Sequence, residues 1–482
     1  MAFFGIDALT AVLIIPAMAA AALALLPGYR LTARLNVLAT FLTFLAALSL
    51  FWGRPQPGPY FLVDDLNNVF IVLTTFIGFT TSVFSANYIG YELDTGRLTP
   101  TRLRFYHATY QLLMFALNLA LVTNNIGVMW VGIEMATLTT VLMVGIYRTH
   151  AALEAAWKYF ILGSVGIALA LFGTILVYLA AEPVIGEGLN SMVWTELLAH
   201  ASALEPGLLN VAFVFLLLGY GTKVGLFPLH AWLPDAHAEG PTPISAVLSG
   251  LLLNVALYAL LRFKVLLAAN PLAFTPGPLL VSMGLLSLLF AAFMLYRRRD
   301  IKRMFAYSSI EHMGIAAFAF GMGGPLANFA GLLHMTMHSL TKSAIFFAVG
   351  DIAQVKGTQK IADMGGLTET NPALGWGLVL GVAAIAGLPP FGIFMSEFLV
   401  VSSTFARAPL LAIPLVLGLL VGVGALFLRL NSIAFGEPRG PTSKVKISYV
   451  PMFAHLALVL IAGVYLPGPL VIWFQNVAKL LG

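Results

Sequence analysis

Apolar residues recur down the chain in runs of spanning length, separated by short polar stretches. A hydrocarbon layer about 30 Å thick needs about 20 apolar residues of helix to cross it. Runs of that kind fall near 8–27, 33–52, 61–86, 107–123, 125–146, 157–180, 207–229, 243–268, 276–296, 303–323, 326–350, 374–402, 409–430 and 450–475. They lack the strict alternation of barrel strands, and in lipid a helix satisfies its own backbone, so helices are predicted. The predicted fold class is all-α integral membrane, with about 14 transmembrane helices. The first run is followed by further spans, so it reads as a span and no cleavable signal peptide is expected.

Composition supports this. Of 482 residues, 60% are hydrophobic and only 9% charged. A soluble surface needs far more polar residues. The charges also orient the chain, because Lys and Arg concentrate in cytoplasmic loops. Sixteen of them, including Arg30, Arg97, Arg148, Arg297–Arg299, Arg303, Lys360 and Lys444, lie in loops on the side of the first loop. Five, Arg54, Arg262, Lys264, Arg407 and Lys479, lie on the other. The first side is therefore expected to be cytoplasmic and both termini outside. The stretch 181–206, with Glu182, Glu187, Glu196 and Glu205 and no Lys or Arg, suits the outer face. Net charge is +5, but the basic residues sit in short loops between apolar runs, so no nucleic-acid binding is expected.

Gly225-Leu226-Phe227-Pro228 and Gly387-Leu388-Pro389-Pro390 stand 162 residues apart, each late in a long apolar run. Pairing them divides the chain into an N-terminal three-helix segment (1–106), a five-helix repeat (107–268), a second five-helix repeat (276–435) and a C-terminal span (450–482). Five is odd, so the second repeat enters the membrane inverted, as in many transporters with broken helices. Two unrelated proline kinks would give the same local match.

Charge inside a bilayer costs about 2.5–3.5 kcal/mol on insertion scales, so ionisable residues within the runs need a reason. The candidates are Glu134, Lys158, Lys223, His334, His338, Lys342 and Glu397. Lys223 is flanked by Gly219, Gly221 and Gly225. Pro228 cannot donate to the Val224 carbonyl, so the helix should break about one turn after the lysine and leave carbonyls to solvate an ammonium. Such a lysine can exchange its proton; alternatively it snorkels to the surface. Glu134 beside Lys223 would hold that lysine charged, and separating the two would release a proton; a static buried ion pair is the alternative. His334, His338 and Lys342 stand at i, i+4 and i+8 and share one helical face, a pattern suited to proton relay. The two histidines could also ligate a metal or haem, but no carboxylate or Cys lies near them in sequence. Glu397, seven residues after Pro390, is a terminal proton site or a membrane-edge glutamate. His230, Asp235, His237 and Glu239 crowd a proline-rich segment, 229–243, which reads as a rigid cytoplasmic entry loop; a metal cluster is the other reading. Cysteine is absent, so the chain offers no thiolate or iron–sulfur ligands, and any electron transfer takes place on other subunits. No cofactor and no resident metal are expected.

The run Lys223-Val-Gly-Leu-Phe-Pro228-Leu-His230-Ala-Trp-Leu-Pro-Asp235-Ala-His237-Ala-Glu239-Gly-Pro-Thr-Pro-Ile-Ser-Ala246 resembles the antiporter-like subunits of respiratory complex I, Mrp antiporters and membrane-bound hydrogenases. Asp300-Ile-Lys302-Arg303-Met-Phe-Ala-Tyr307-Ser308-Ser309-Ile310 and the His334/His338/Lys342 stripe agree with it. Ser309-Ile-Glu311-His312-Met-Gly and Glu154-Ala-Ala-Trp-Lys158-Tyr-Phe look most like the F subunit of hydrogenase-4-type complexes.

The resemblance implies a proton-translocating subunit with two inverted repeats and fourteen core helices. Glu134 and Lys223 would be its pair on the fifth and seventh helices, Lys342 and the histidines would lie on the eleventh, and Glu397 would take the exit position on the twelfth. Lys158, His230, Pro228, Pro389 and Pro390 would support the path. Implied partners are other antiporter-like membrane subunits and a peripheral iron–sulfur, hydrogenase or dehydrogenase arm, in a bacterial or archaeal plasma membrane. Many relatives carry Lys or His midway along the eighth helix, where this chain has Asn254. Asn holds no proton at neutral pH, so water bound by Asn254 and Tyr258 would have to link the half-paths. The long amphipathic arm of some relatives is expected to be absent. Three functions compete: a redox-driven proton-pumping subunit, a subunit of a Na+/H+ antiporter, and a non-pumping membrane scaffold. Buried charges spread over several helices favour ion movement over scaffold.

Overall fold

A computed structural model describes residues 2–3, 6–443 and 445–482, and Lys444 of the basic-loop reading lies outside the described residues. Apart from a two-residue ladder, Ala2–Phe3 with Ile6–Asp7, the described chain is helical. The principal helices are α1 (Ala8–Leu25), α2 (Tyr29–Ser49), α3 (Asp65–Asp94), α4 (Pro100–Val122), α5 (Ile126–Val144), α6 (His150–Ile185), α7 (Pro206–Val224), α8 (Thr242–Ala268), α9 (Gly277–Leu295), α10 (Ile301–Met322), α11 (Gly324–Lys356), α12 (Pro372–Ile385), α13 (Gly392–Arg407), α14 (Pro409–Phe435), α15 (Val450–Val464) and α16 (Gly468–Leu480).

Among the described residues ten helices are long and apolar enough to cross a membrane, or eleven if α15 and α16, bent by 80°, count as one. The difference from about 14 has a physical cause. Helices α10 and α11 run for 22 and 33 residues, long enough to span, but Lys302, Glu311 and His312 on the one and the His334/His338/Lys342 stripe on the other make them too polar. The run 374–402 is two short helices, α12 and α13, on either side of a turn. Groups that one apolar window rejects are buried here by neighbouring helices: His334, His338 and Lys342 are each fully enclosed.

Both glycine–proline motifs end a helix. Gly225 adopts φ +80° directly after α7, and Gly387 adopts φ +64° just after α12, conformations that favour glycine. The first break comes earlier than the proline argument predicts, at Val224, one residue after Lys223. Its carbonyls are not left open: Gly225 and Leu226 donate to Gly221 O, and the Trp232 indole donates to Thr222 O at 2.7 Å. The ring of Trp232 also stacks on Tyr159, centroids 4.2 Å apart. Segment 229–243 is therefore a packed turn and a short helix, Leu233–Glu239, with Trp232, Leu233 and His237 fully buried.

Glycine permits close helix contacts, as is usual in membranes. A Cβ on Gly219 would lie 2.5 Å from Ala170 N, and one on Gly284 2.5 Å from Phe318 N, so α6 packs directly on α7 and α9 on α10. Helix α8 is the centre of the bundle, buried along its whole apolar length and relaxed by a π-helical turn at Leu248–Leu252. The loops sort into two ends. At one end Lys356 donates to Arg439 O, the backbones of Asp300 and Lys360 pair in a short β-bridge, and Arg303 pairs with Asp235. At the other, Arg54 pairs with Asp65, Arg262 with Asp64, and Lys264 donates to Leu481 O.

Candidate functional site

Lys223 sits on the last turn of α7 with its ammonium fully buried and without a hydrogen-bond partner. It faces the Tyr159 ring, 5.6 Å from its centroid, and the bare backbone of Gly163, where a Cβ would stand 2.8 Å from Nζ. Glu134 on α5 interacts with it electrostatically but forms no ion pair with it, and Glu134 Oε2 is also unpartnered. The expected contact pair is thus a separated one, and the freed carbonyls of the helix break do not solvate the ammonium. Two groups with unspent hydrogen-bonding capacity thus stand on α5 and α7, with Tyr159 and Gly163 of α6 beside the lysine.

Lys158 corrects a sequence expectation. It is half-exposed, not buried, because the first turns of α6 stand at the loop end, and it pairs with Glu154 at 2.7 Å and Asp235 at 3.1 Å. Asp235 also binds Arg303 at 2.5 Å, and Arg303 reaches Glu239 at 3.4 Å. His230 packs against Phe227 and Phe290, and His237 stacks on Phe346 at 4.9 Å. Of the four residues of that segment, Asp235 and Glu239 share Arg303 while His230 and His237 pack on aromatic rings, so they do not converge on one metal position.

The α11 stripe is buried as the spacing predicts, but its members reach different neighbours. Lys342 Nζ donates to Phe305 O at 2.9 Å and lies in the field of Glu311. Both ring nitrogens of His338 are unpartnered. His334 connects outward: Nε2 is 3.1 Å from His312 Nδ1, and Nδ1 is 2.9 Å from Ser396 Oγ. Ser396 gives its own proton to Ile393 O, so its oxygen accepts from His334 Nδ1–H and leaves a lone pair on His334 Nε2. His312 Nδ1 is also 3.8 Å from Glu397 Oε1. Glu397, on α13, rests its Oε2 against Gly387, the glycine of the second break, so Pro389 and Pro390 shape the turn that this carboxylate packs on.

Asn254 behaves differently from expectation. Its Nδ2 donates to Ser339 Oγ at 2.6 Å and Met335 O at 3.3 Å, tying α8 directly to α11. Only Oδ1 is unpaired. Tyr258 is committed elsewhere, donating to Leu121 O and accepting from Arg262, so it does not share water with Asn254. A polar contact between α8 and α10 is not visible in the sequence: Ser249 and Ser309 hydroxyls meet at 2.7 Å, and Ser309 shares the Phe305 carbonyl with Lys342. Glu311 and His312 were read only as part of a motif. Their charge inside a spanning run was the signal that they belong to the site.

Residues 123–422 match the family model described as NADH:quinone oxidoreductase/Mrp antiporter, TM. The chain is 65% identical to the hydrogenase-4 component F homolog of Methylacidiphilum infernorum (isolate V4), over 98% of this chain and 99% of that one. Its fold matches a chain of the archaeal membrane-bound sulfane sulfur reductase (TM-score 0.88, 22% identity, 98% of each chain). It also matches a chain of respiratory complex I from Thermus thermophilus (TM-score 0.80, 25% identity, 98% of this chain and 100% of that one). With apolar helices of spanning length repeated along it and lysines enclosed between them, the chain belongs to the NADH:quinone oxidoreductase/Mrp antiporter transmembrane family, as a multi-pass, antiporter-like membrane subunit similar to hydrogenase-4 component F.

Proposed function

We propose that this subunit moves protons across the membrane through a chain of buried titratable groups, driven by electron transfer on other subunits of a hydrogenase-4-like or complex I-like assembly. One observation carries the reading. Lys223 and Lys342 are fully buried on different helices, and each has a carboxylate in its electrostatic field, Glu134 and Glu311, that it does not touch. A buried ion pair made for stability closes its contact, because desolvation is otherwise uncompensated. A pair held apart is free to change protonation as its neighbours change charge.

In this reading Glu134 sets the charge of Lys223. Lys342 receives the proton within α10 and α11, with the Ser249/Ser309 hydroxyls and Asn254 bordering the route from α8. His338, His334 and His312 carry it on, and Glu397 releases it. Helices α4–α8 and α9–α14 serve as inverted half-paths, with breaks at Gly225 and Gly387. The basic loop end faces the cytoplasm. Membrane partners pack on the exposed apolar flanks, and a peripheral redox arm supplies the energy.

The test is purification of the native complex, identification of its subunits, and reconstitution in vesicles. Redox turnover that acidifies the lumen supports the reading. Sodium-gradient-driven proton exchange without redox turnover would replace it with a Mrp-like antiporter. Turnover with neither ion moving would leave a scaffold.

A further inference from the structure

We propose that His312, His334 and Glu397 form a binding site for a zinc-class divalent cation, filled from outside when the ion is supplied and distinct from any resident cofactor. The three come from α10, α11 and α13. Each offers one ligand atom, and all three atoms lie within 4.8 Å of one another. Two of the edges are 3.1 Å between the imidazole nitrogens and 3.8 Å from His312 Nδ1 to Glu397 Oε1. A tetrahedral ion with metal–ligand bonds near 2.0–2.1 Å needs edges of roughly 3.3 Å, so the two imidazoles already stand at ligand spacing and the Glu397 carboxylate closes the third edge, at most 4.8 Å, by side-chain rotation.

The outer contacts fit as well. Ser396 holds the His334 proton on Nδ1 and turns the Nε2 lone pair toward the centre of the triad, the orientation a ligating histidine requires. His312 supplies the facing nitrogen, and an ion there replaces the hydrogen-bond proton between the rings. Two imidazoles and one carboxylate favour zinc-class ions over magnesium, calcium or sodium, which prefer all-oxygen sites. A bound cation would draw Glu397 into its ionised form, and Glu311, whose Oε2 is buried without a partner, interacts with Glu397 electrostatically, so a second carboxylate can help offset the dication. The Glu397 side chain is 13% exposed, so the triad can be reached from outside the bundle.

Metal binding here does not depend on proton pumping. The consequence does: on the proposed function, an ion on His312 and His334 occupies the terminal relay and stops translocation.

The experiment uses the intact complex, stripped with chelator and dialysed against zinc. The wild type should retain one zinc per copy of this chain more than complexes carrying His312→Gln or Glu397→Gln, with excess magnesium unable to displace it. Equal zinc in assembled variants and wild type overturns the site. Cobalt(II) gives a second readout on the unmodified complex: intense visible absorption of a tetrahedral ion, abolished by zinc, supports the site, and its absence rejects it. Bound zinc with undiminished proton movement would keep the site and count against the relay.

Discussion

His312 Nδ1 lies 3.1 Å from His334 Nε2 and joins α10 to α11 inside the bundle, with Glu397 of α13 beside the same His312 nitrogen. This contact gives the α11 stripe a continuation that runs off its own helix. His312→Gln keeps a polar side chain but removes the titratable ring. Relay by a positioned group is worth roughly 10²-fold or more in rate, so translocation should fall by about that much while redox turnover in uncoupled vesicles persists. Proton flux measured with a pH-sensitive dye checks it.

Gly387 and Glu397 test the second break. Gly387 has φ +64°, and a Cβ there would collide with Glu397 Oε2. Gly387→Ala should cost about 1–3 kcal/mol from backbone strain and also displace the carboxylate. A lower thermal midpoint with lost translocation is expected. Glu397→Gln should lose translocation with little change in midpoint, which separates the carboxylate's role from the glycine's.

The membrane class and most helices were legible because burial in lipid demands long apolar runs, and α1 to α9 have them. Helices α10 and α11 were harder, since Lys302, Glu311, His312 and the stripe lower their hydropathy while neighbours bury them. The stripe at 334, 338 and 342 was readable from helical spacing. Its partners were not, because His312, Ser396 and Phe305 come from other helices and no periodicity in one segment reports them. Lys158 misled for the opposite reason: an apolar run can end at a surface, and its first turns then carry an exposed ion pair. The Glu134–Lys223 contact was overread, since sequence places two helices together without fixing the gap between side chains.

Arg262 and Asp64 are bound bidentately at 2.6 and 2.9 Å, with Arg262 buried at the end of α8 and stacked over Trp194. This is a structural pair, unlike Lys223 and Glu134. Arg262→Ala leaves Asp64 unpaired and should cost about 3 kcal/mol, the low end for a buried pair because Asp64 is partly exposed. The thermal midpoint should fall while translocation per assembled complex is retained. Both are read in one preparation by scanning calorimetry and the dye assay.

Asn254 ties α8 to α11 through Ser339 Oγ and Met335 O. Asn254→Leu removes the Ser339 hydrogen bond and the polar amide that α8 sets against α11, so translocation should stop. Asn254→Lys restores a protonatable group and should keep it. Full flux in Asn254→Leu would route protons through the Ser249/Ser309 pair, and Ser309→Ala would then be the blocking change.

The most direct measurement is proton translocation by the reconstituted complex carrying Lys223→Ala, with electron transfer recorded in the same vesicles. Removing an unpartnered buried ammonium relieves a desolvation cost, so the complex should assemble and turn over. Proton flux is predicted to vanish while redox turnover continues. Wild-type flux from an assembled Lys223→Ala complex would contradict the account, because protons would then cross without the group on which the path is built.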